Sequence, residues 1–132
     1  MNILSLPSQP PLIQIRALER GLPANTLASL AEMFGIPKKR IIGALRFAER
    51  PLVNREGPRA RFTLVESERL LRLLRLRYIL RDAFSSDKAV GEWIETPASS
   101  LDGKTPLAML ATDVGTAKVT NLALATVHGV PI

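Results

Sequence analysis

The stretch from Thr63 to Ser86 constrains the chain more than any other. Thr63-Leu-Val-Glu66 has the spacing of a capping box, in which the first hydroxyl and the Glu carboxylate satisfy each other's backbone N–H groups. Leu70, Leu71, Leu74, Ile79 and Leu80 follow as an apolar seam at helical spacing, with Arg69, Arg72, Arg75 and Arg81 expected to face outward. Such a seam needs helical neighbours, and the rest of the sequence supplies them. Aromatic residues make up only 5% of the chain, so a core must come from Leu, Ile, Val and Ala, a set that favours helices.

The expected fold is all-α: an N-terminal helix-turn-helix lobe joined by this long helix to a C-terminal helical lobe. Met1–Leu12 carries Pro7, Pro10 and Pro11, and residues 1–20 are expected to form an extended arm. Residues 21–62 form the first lobe. Asn25 is placed to cap a helix over Thr26–Phe34, which Gly35 ends in a left-handed turn. Pro37 then opens a helix over Lys38–Leu45 that buries Ile41, Ile42 and Leu45. A tight connection at Arg46–Phe47 leads to a short helix over Glu49–Arg55, with Pro51 in its first turn, and a Gly/Pro/Arg-rich loop over Glu56–Phe62. Residues 63–86 are the connecting helix and 87–132 the second lobe. In that lobe Ser86 or Asp87 caps a helix bearing Val90, Trp93 and Ile94. Thr105 caps a short one opened by Pro106, and Thr112 or Asp113 caps a last helix from Val114 to about Val127, ending at Gly129.

Catalysis finds little to work with. The chain has no cysteine, and its single histidine, His128, forms neither a metal site nor a nucleophile–base pair by itself. Leu101-Asp-Gly-Lys-Thr-Pro holds a Gly-Lys-Thr but lacks the preceding glycine spacing of a phosphate loop, and reads as a turn into the Thr105-capped helix. We therefore expect no catalytic residue, no metal ligand and no cofactor. The start shows no leader pattern, no run is apolar enough to span a membrane, and a cytoplasmic location is expected.

Charge separates the two lobes. From Lys38 to Arg61 eight basic residues stand against Glu49 and Glu56, 8 − 2 = +6, whereas from Asp82 to Ile132 three lysines stand against six acids, 3 − 6 = −3. Short helices with a basic surface suit a helix-turn-helix, because cations displace phosphate counterions and a helix fits the major groove. Arg50, Asn54 and Arg55 are the expected base readers, and Lys38, Lys39, Arg40 and Arg46 the expected phosphate contacts. A merely solvated basic face is the other reading of the same residues.

The second lobe carries a more specific pattern. Trp93-Ile-Glu-Thr-Pro97, Leu101-Asp-Gly-Lys-Thr-Pro-Leu107, Leu110-Ala-Thr-Asp-Val-Gly115 and His128-Gly129-Val130 follow in an order that resembles the toxin-binding domain of Xre/MbcA/ParS antitoxins. Gly21-Leu-Pro23 and Glu66-Ser-Glu-Arg-Leu-Leu71 are also similar to that family. The sequence departs from it in a last helix whose sole charge between Gly115 and His128 is Lys118, in Leu124 at a position more usually small, and in Arg46-Phe47 at the helix-turn-helix turn.

The resemblance implies an antitoxin that binds a RES-domain, NAD-consuming toxin and occludes its active site with its C-terminal end. It also implies repression of its own operon by binding operator DNA, as a homodimer within a hetero-oligomeric toxin–antitoxin complex. The expected toxin contacts are Trp93, Leu122, Leu124, Val127, His128, Gly129, Val130, Pro131 and Ile132. Read from the residues alone, the last helix is apolar all round and is either buried on both sides in this protein or covered on one side by a partner. Trp93 can be an interface anchor, but a lone Trp in a helical lobe is more often core. The rival function is a helix-turn-helix repressor whose C-terminal lobe only dimerises.

Overall fold

A computed structural model describes residues 2–48 and 60–129. Its elements are 3-10 helix η1 (Ile3–Ser8), α1 (Pro11–Arg20), α2 (Thr26–Phe34), α3 (Lys38–Ala44), α4 (Leu64–Leu80), α5 (Asp87–Ile94), 3-10 helix η2 (Ser99–Leu101), α6 (Pro106–Met109) and α7 (Asp113–His128). No strand occurs among the described residues, where one isolated antiparallel bridge, Pro23 with Arg61, ties the entry of α2 to the entry of α4. The fold is all-α.

Helix α4 is the centre of the molecule. Its capping box forms as the sequence predicts: the Glu66 N–H donates to Thr63 Oγ1 at 3.2 Å and the Thr63 N–H to Glu66 Oε1 at 2.8 Å. The single outward-charged connector is corrected, because Leu73 and Leu76 are as buried as Leu70, Leu71, Leu74 and Leu80, while Ile79 is only partly so. Helices on several sides demand leucine on several faces. η1, α1, α5 and α7 all pack on α4. Two of the supposedly outward arginines instead turn onto carbonyls at the ends of other helices. Arg69 Nη1 donates to the Leu45 and Arg46 oxygens at 3.3 and 3.2 Å, and Arg72 Nη1 to the Leu110 oxygen at 3.0 Å. Carbonyls at helix ends lack intrahelical donors, so the guanidinium fork fits there.

The extended arm over residues 1–20 is also corrected. Asn2 caps η1 by accepting from the Leu4 N–H, and Pro11 begins α1 at a position where its missing donor costs nothing. Leu6 is wholly buried, and Ile3, Leu4, Ala17 and Leu18 pack against the same core, so the segment docks through several apolar side chains together. Gln14 ties the two elements together by donating to the Gln9 oxygen at 2.7 Å.

The helices expected within the described residues are present, but the expected Asn25 cap is corrected: Asn25 is itself helical in backbone and its side chain accepts no capping hydrogen bond. Ser86, Thr105 and Thr112 each accept from the backbone N–H three residues on, at 3.1, 3.2 and 2.9 Å. Gly35 and Gly129 take the left-handed conformation that ends α2 and α7. The predicted helix over Glu49–Arg55, and the loop as far as Arg59, lie outside the described residues.

One apolar cluster runs from Leu6 to Ala123 without a break between the expected lobes. α2 packs on α5 and α3 on α6, across the sequence halves. The closest approach is at Gly91, where a Cβ would lie 2.0 Å from the Phe34 carbonyl oxygen. Arg77 and Arg81 close the corner between α4 and α5 on Asp87, at 2.7 and 3.0 Å. Burial of that carboxyl opposes ionisation, but the guanidinium hydrogen bonds and charges outweigh it and hold Asp87 below the usual carboxylate range.

Candidate functional site

Helix α7 is built from residues small enough to press against α4 and α6. Gly115, Val119 and Ala123 form its buried stripe. At Gly115 even a methyl group would stand 2.2 Å from the Met109 oxygen, which fixes the corner between α6 and α7. The opposite side is open to solvent. Val114, Ala117, Asn121, Leu124 and His128, spaced three and four residues apart, form one exposed stripe along the helix. Val114 is 84% exposed, the most exposed large apolar side chain among the described residues, and Leu124 is 40% exposed. No Asp, Glu, Lys or Arg belongs to the stripe, and Lys118, four residues after Val114, is exposed at its edge.

The expected toxin contacts divide between two places. Trp93 and Leu122 meet with Thr96, Pro97, Ala98 and Pro106 around a groove of about 150 Å³. Both also pack against the core, so Trp93 is half-buried rather than fully an anchor or fully core. Leu124 lies two residues, roughly 200° of helical rotation, beyond Leu122 and belongs to the exposed stripe. Val127 is half-buried between the two faces, His128 is exposed and Gly129 forms the left-handed end. Val130, Pro131 and Ile132 lie outside the described residues.

The Asp-Gly-Lys-Thr-Pro element is a closed turn. Asp102 and Gly103 both adopt positive φ, 58° and 77°, which Gly tolerates freely and Asp better than most other residues. The Ala98 N–H donates to the Lys104 oxygen at 3.1 Å and the Gly103 N–H to the Ala98 oxygen at 2.9 Å. This closure places Lys104 near Lys118 of α7, and the two line a depression of about 360 Å³ with Ser99, Ser100 and Asp102. Sequence reasoning missed this pair, because 14 residues separate the lysines and only the turn brings them together.

On the basic side, Lys38, Lys39 and Arg40 occupy the first turn of α3 and are exposed. Cations at a helix N-terminus oppose the helix dipole, so helix stability does not account for them. Arg40 is ion-paired with Glu95 at the end of α5 and stays largely exposed. Arg46 is exposed and left-handed at φ 60°, ending α3 where glycine is usual, with Phe47 N–H donating to the Ile42 oxygen at 3.0 Å. Phe47 is buried and meets Phe62 at a ring separation of 5.8 Å. Arg50, Asn54 and Arg55 lie outside the described residues. Among the described residues no group of His, Cys, Asp and Glu is arranged to hold a metal ion, and no helix is long and apolar enough to cross a membrane.

A helical lobe that shows an uncharged stripe and an aromatic groove describes a module for binding another protein. Residues 80–122, from the end of α4 to the middle of α7, match the Antitoxin Xre/MbcA/ParS C-terminal toxin-binding domain. An Antitoxin Xre of Yersinia enterocolitica serotype O:8 / biotype 1B is 30% identical over 128 residues, covering 96% of this chain and 86% of that protein. A second Antitoxin Xre, from Photorhabdus laumondii subsp. laumondii, is 29% identical over 114 residues, covering 86% and 77% respectively. The chain belongs to the Xre/MbcA/ParS antitoxin family, and the segment from α5 into α7 is its toxin-binding domain.

Proposed function

We propose that this antitoxin neutralises a RES-domain, NAD-consuming toxin by occluding its active site with the C-terminal region. The observation that carries the reading is the exposed apolar stripe of α7, Val114 to His128, on a helix whose other side is already committed to the core. Val114 and Leu124 on that stripe offer a partner apolar area to cover, and Val114 lies within the matched toxin-binding domain. Trp93 and Leu122 supply a second contact at the groove, and Lys104 and Lys118 a cationic rim that fits acidic side chains of the toxin. Beyond Gly129 the sequence Val130-Pro131-Ile132 is apolar and would fill an apolar slot of the toxin's cleft.

The protein acts by binding and not by catalysis, and takes no cofactor of its own. Its lone histidine is exposed at the end of α7. The amino-terminal half binds operator DNA in the cytoplasm as a homodimer, with Lys38 and Lys39 on phosphates and Arg50, Asn54 and Arg55 as base readers. The unfavourable placement of two lysines at the start of α3 supports that part. The rival repressor without a toxin is weakened by the toxin-binding match over residues 80–122.

The test is co-expression of the neighbouring reading frame with full-length protein or protein cut after Val127, following growth and cellular NAD. Restoration by the full chain alone supports occlusion by the C-terminal end. A harmless neighbour, or equal protection by both forms, contradicts it.

A further inference from the structure

A cleft at the amino-terminal end belongs to neither surface described above. It lies where η1, α1 and the turn Gly21–Pro23 meet, and has a volume of about 380 Å³, within the range of small-molecule sites. Ile3, Ile13 and Leu22 give it an apolar floor, while Arg16, Arg20 and Arg61 stand around it. None of the described residues lining it is acidic.

The charges are arranged for an absent partner. Arg16 and Arg20 are one helical turn apart, a spacing at which like charges repel, and neither pairs with an acid among the described residues. The helix dipole accounts for Arg20 in the last turn of α1, but not for Arg16. Arg61 is held in place by donating from Nη1 to the Gly21 oxygen at 2.9 Å, which leaves its other donors for a ligand. The shape of the wall is fixed by the backbone. Gly21 has φ 88°, and a Cβ there would lie 2.2 Å from the Phe62 oxygen.

We propose that this cleft binds an amphipathic carboxylate, a small molecule whose compact apolar tail covers Ile3, Ile13 and Leu22 while its carboxylate meets the Arg16 and Arg20 guanidiniums. The apolar floor decides against a nucleic-acid backbone. Phosphates would satisfy the arginines but leave the floor unfilled, and a duplex is too wide to enter a cleft of this volume. The cleft lies outside residues 80–122, so the proposal stands or falls separately from toxin neutralisation.

The experiment titrates the full-length protein with octanoate and follows the methyl resonances of Ile3 and Ile13. Octanol, inorganic phosphate and a DNA duplex serve as comparison probes. The expected result is saturable shifts with octanoate and at least tenfold weaker binding of octanol. Arg16→Gln with Arg20→Gln should weaken octanoate at least tenfold while the unfolding temperature stays unchanged. Ala17→Phe, which narrows the floor without altering charge, should also abolish binding. Equal binding of octanol overturns the proposal by removing the role of the arginines. Absence of octanoate shifts overturns it outright. Stronger effects of phosphate or duplex on the same methyls overturn it in favour of a polyanion surface.

Discussion

Helix α3 begins at Pro37 with no side-chain cap, whereas α7 begins at Thr112, whose hydroxyl accepts from the Gly115 N–H, and the two helices carry opposite surfaces. α3 puts Lys38, Lys39 and Arg40 into its first turn, against the dipole, and buries Ile41 and Ile42 behind them. α7 puts Asp113 into its first turn, in accord with the dipole, and then exposes Val114 and Leu124 with hardly a charge between. One surface spends helix stability on cations and the other spends solvation on apolar side chains. Neither pattern is accounted for by the helix's own folding, which is why both surfaces are proposed for binding.

The two halves nevertheless share one core, and Gly91 is where that is tested hardest. In an ordinary helix Gly→Ala adds up to about 1 kcal/mol of stability. Here the new methyl would stand 2.0 Å from the Phe34 backbone oxygen, so Gly91→Ala should cost about 3 kcal/mol and loosen both halves together. Urea unfolding followed at Trp93 and by far-UV circular dichroism checks this. A loss below 1 kcal/mol, or two separate transitions, would break the single-core description.

The next largest effect sharpens the contrast between α3 and α7. Lys38→Ala with Lys39→Ala should weaken operator binding about tenfold, or about 1.4 kcal/mol, and reduce the salt slope by about 2. Toxin affinity, measured by calorimetry on the same variant, should not move. Loss of both activities would show that the surfaces are not distinct.

Asp87 tests the corner that holds α5 in place. Its carboxyl is held below the usual range by Arg77 and Arg81, so ionisation favours the folded chain. The contribution is fully present above the unfolded value, about pH 4, and is lost as pH falls through the lower folded value. Asp87→Asn should therefore cost about 1 kcal/mol at neutral pH, with the difference from the parent shrinking in acid. An equal difference at both pH values would mean that packing, not charge, holds the corner.

The smallest effect concerns Arg46. Its left-handed backbone at the end of α3 is relieved by glycine, so Arg46→Gly should stabilise the fold by about 0.5 kcal/mol in thermal unfolding. Destabilisation would show that the side chain itself is needed there.

Much of the architecture was legible because caps act locally. Thr63 with Glu66, Ser86, Thr105 and Thr112 each bond to a backbone group three residues away, so pattern and structure coincide. What escaped notice depends on distant parts of the chain. Prolines at 7, 10 and 11 look like helix breakers until Leu6 finds α4, and only then does a helical arm outweigh a solvated one. Arg69 and Arg72 look like surface charges until the ends of α3 and α6 present carbonyls to them. In the candidate site, the apolar character of α7 was legible, but which side faces out was not. Val119 and Leu124 are alike as sequence, and only packing against α4 and α6 buries one and exposes the other.

The central claim is that the outward stripe of α7 is the surface the toxin covers. The most direct measurement is calorimetric titration of the purified cognate toxin with the Val114→Glu, Leu124→Glu double variant, beside its thermal unfolding. Both side chains are solvent-exposed, so the unfolding temperature should stay within a degree or two of the parent. Toxin affinity should fall about a hundredfold, since two carboxylates would be desolvated without partners. Full affinity in a folded double variant would contradict the account and place the toxin contact elsewhere.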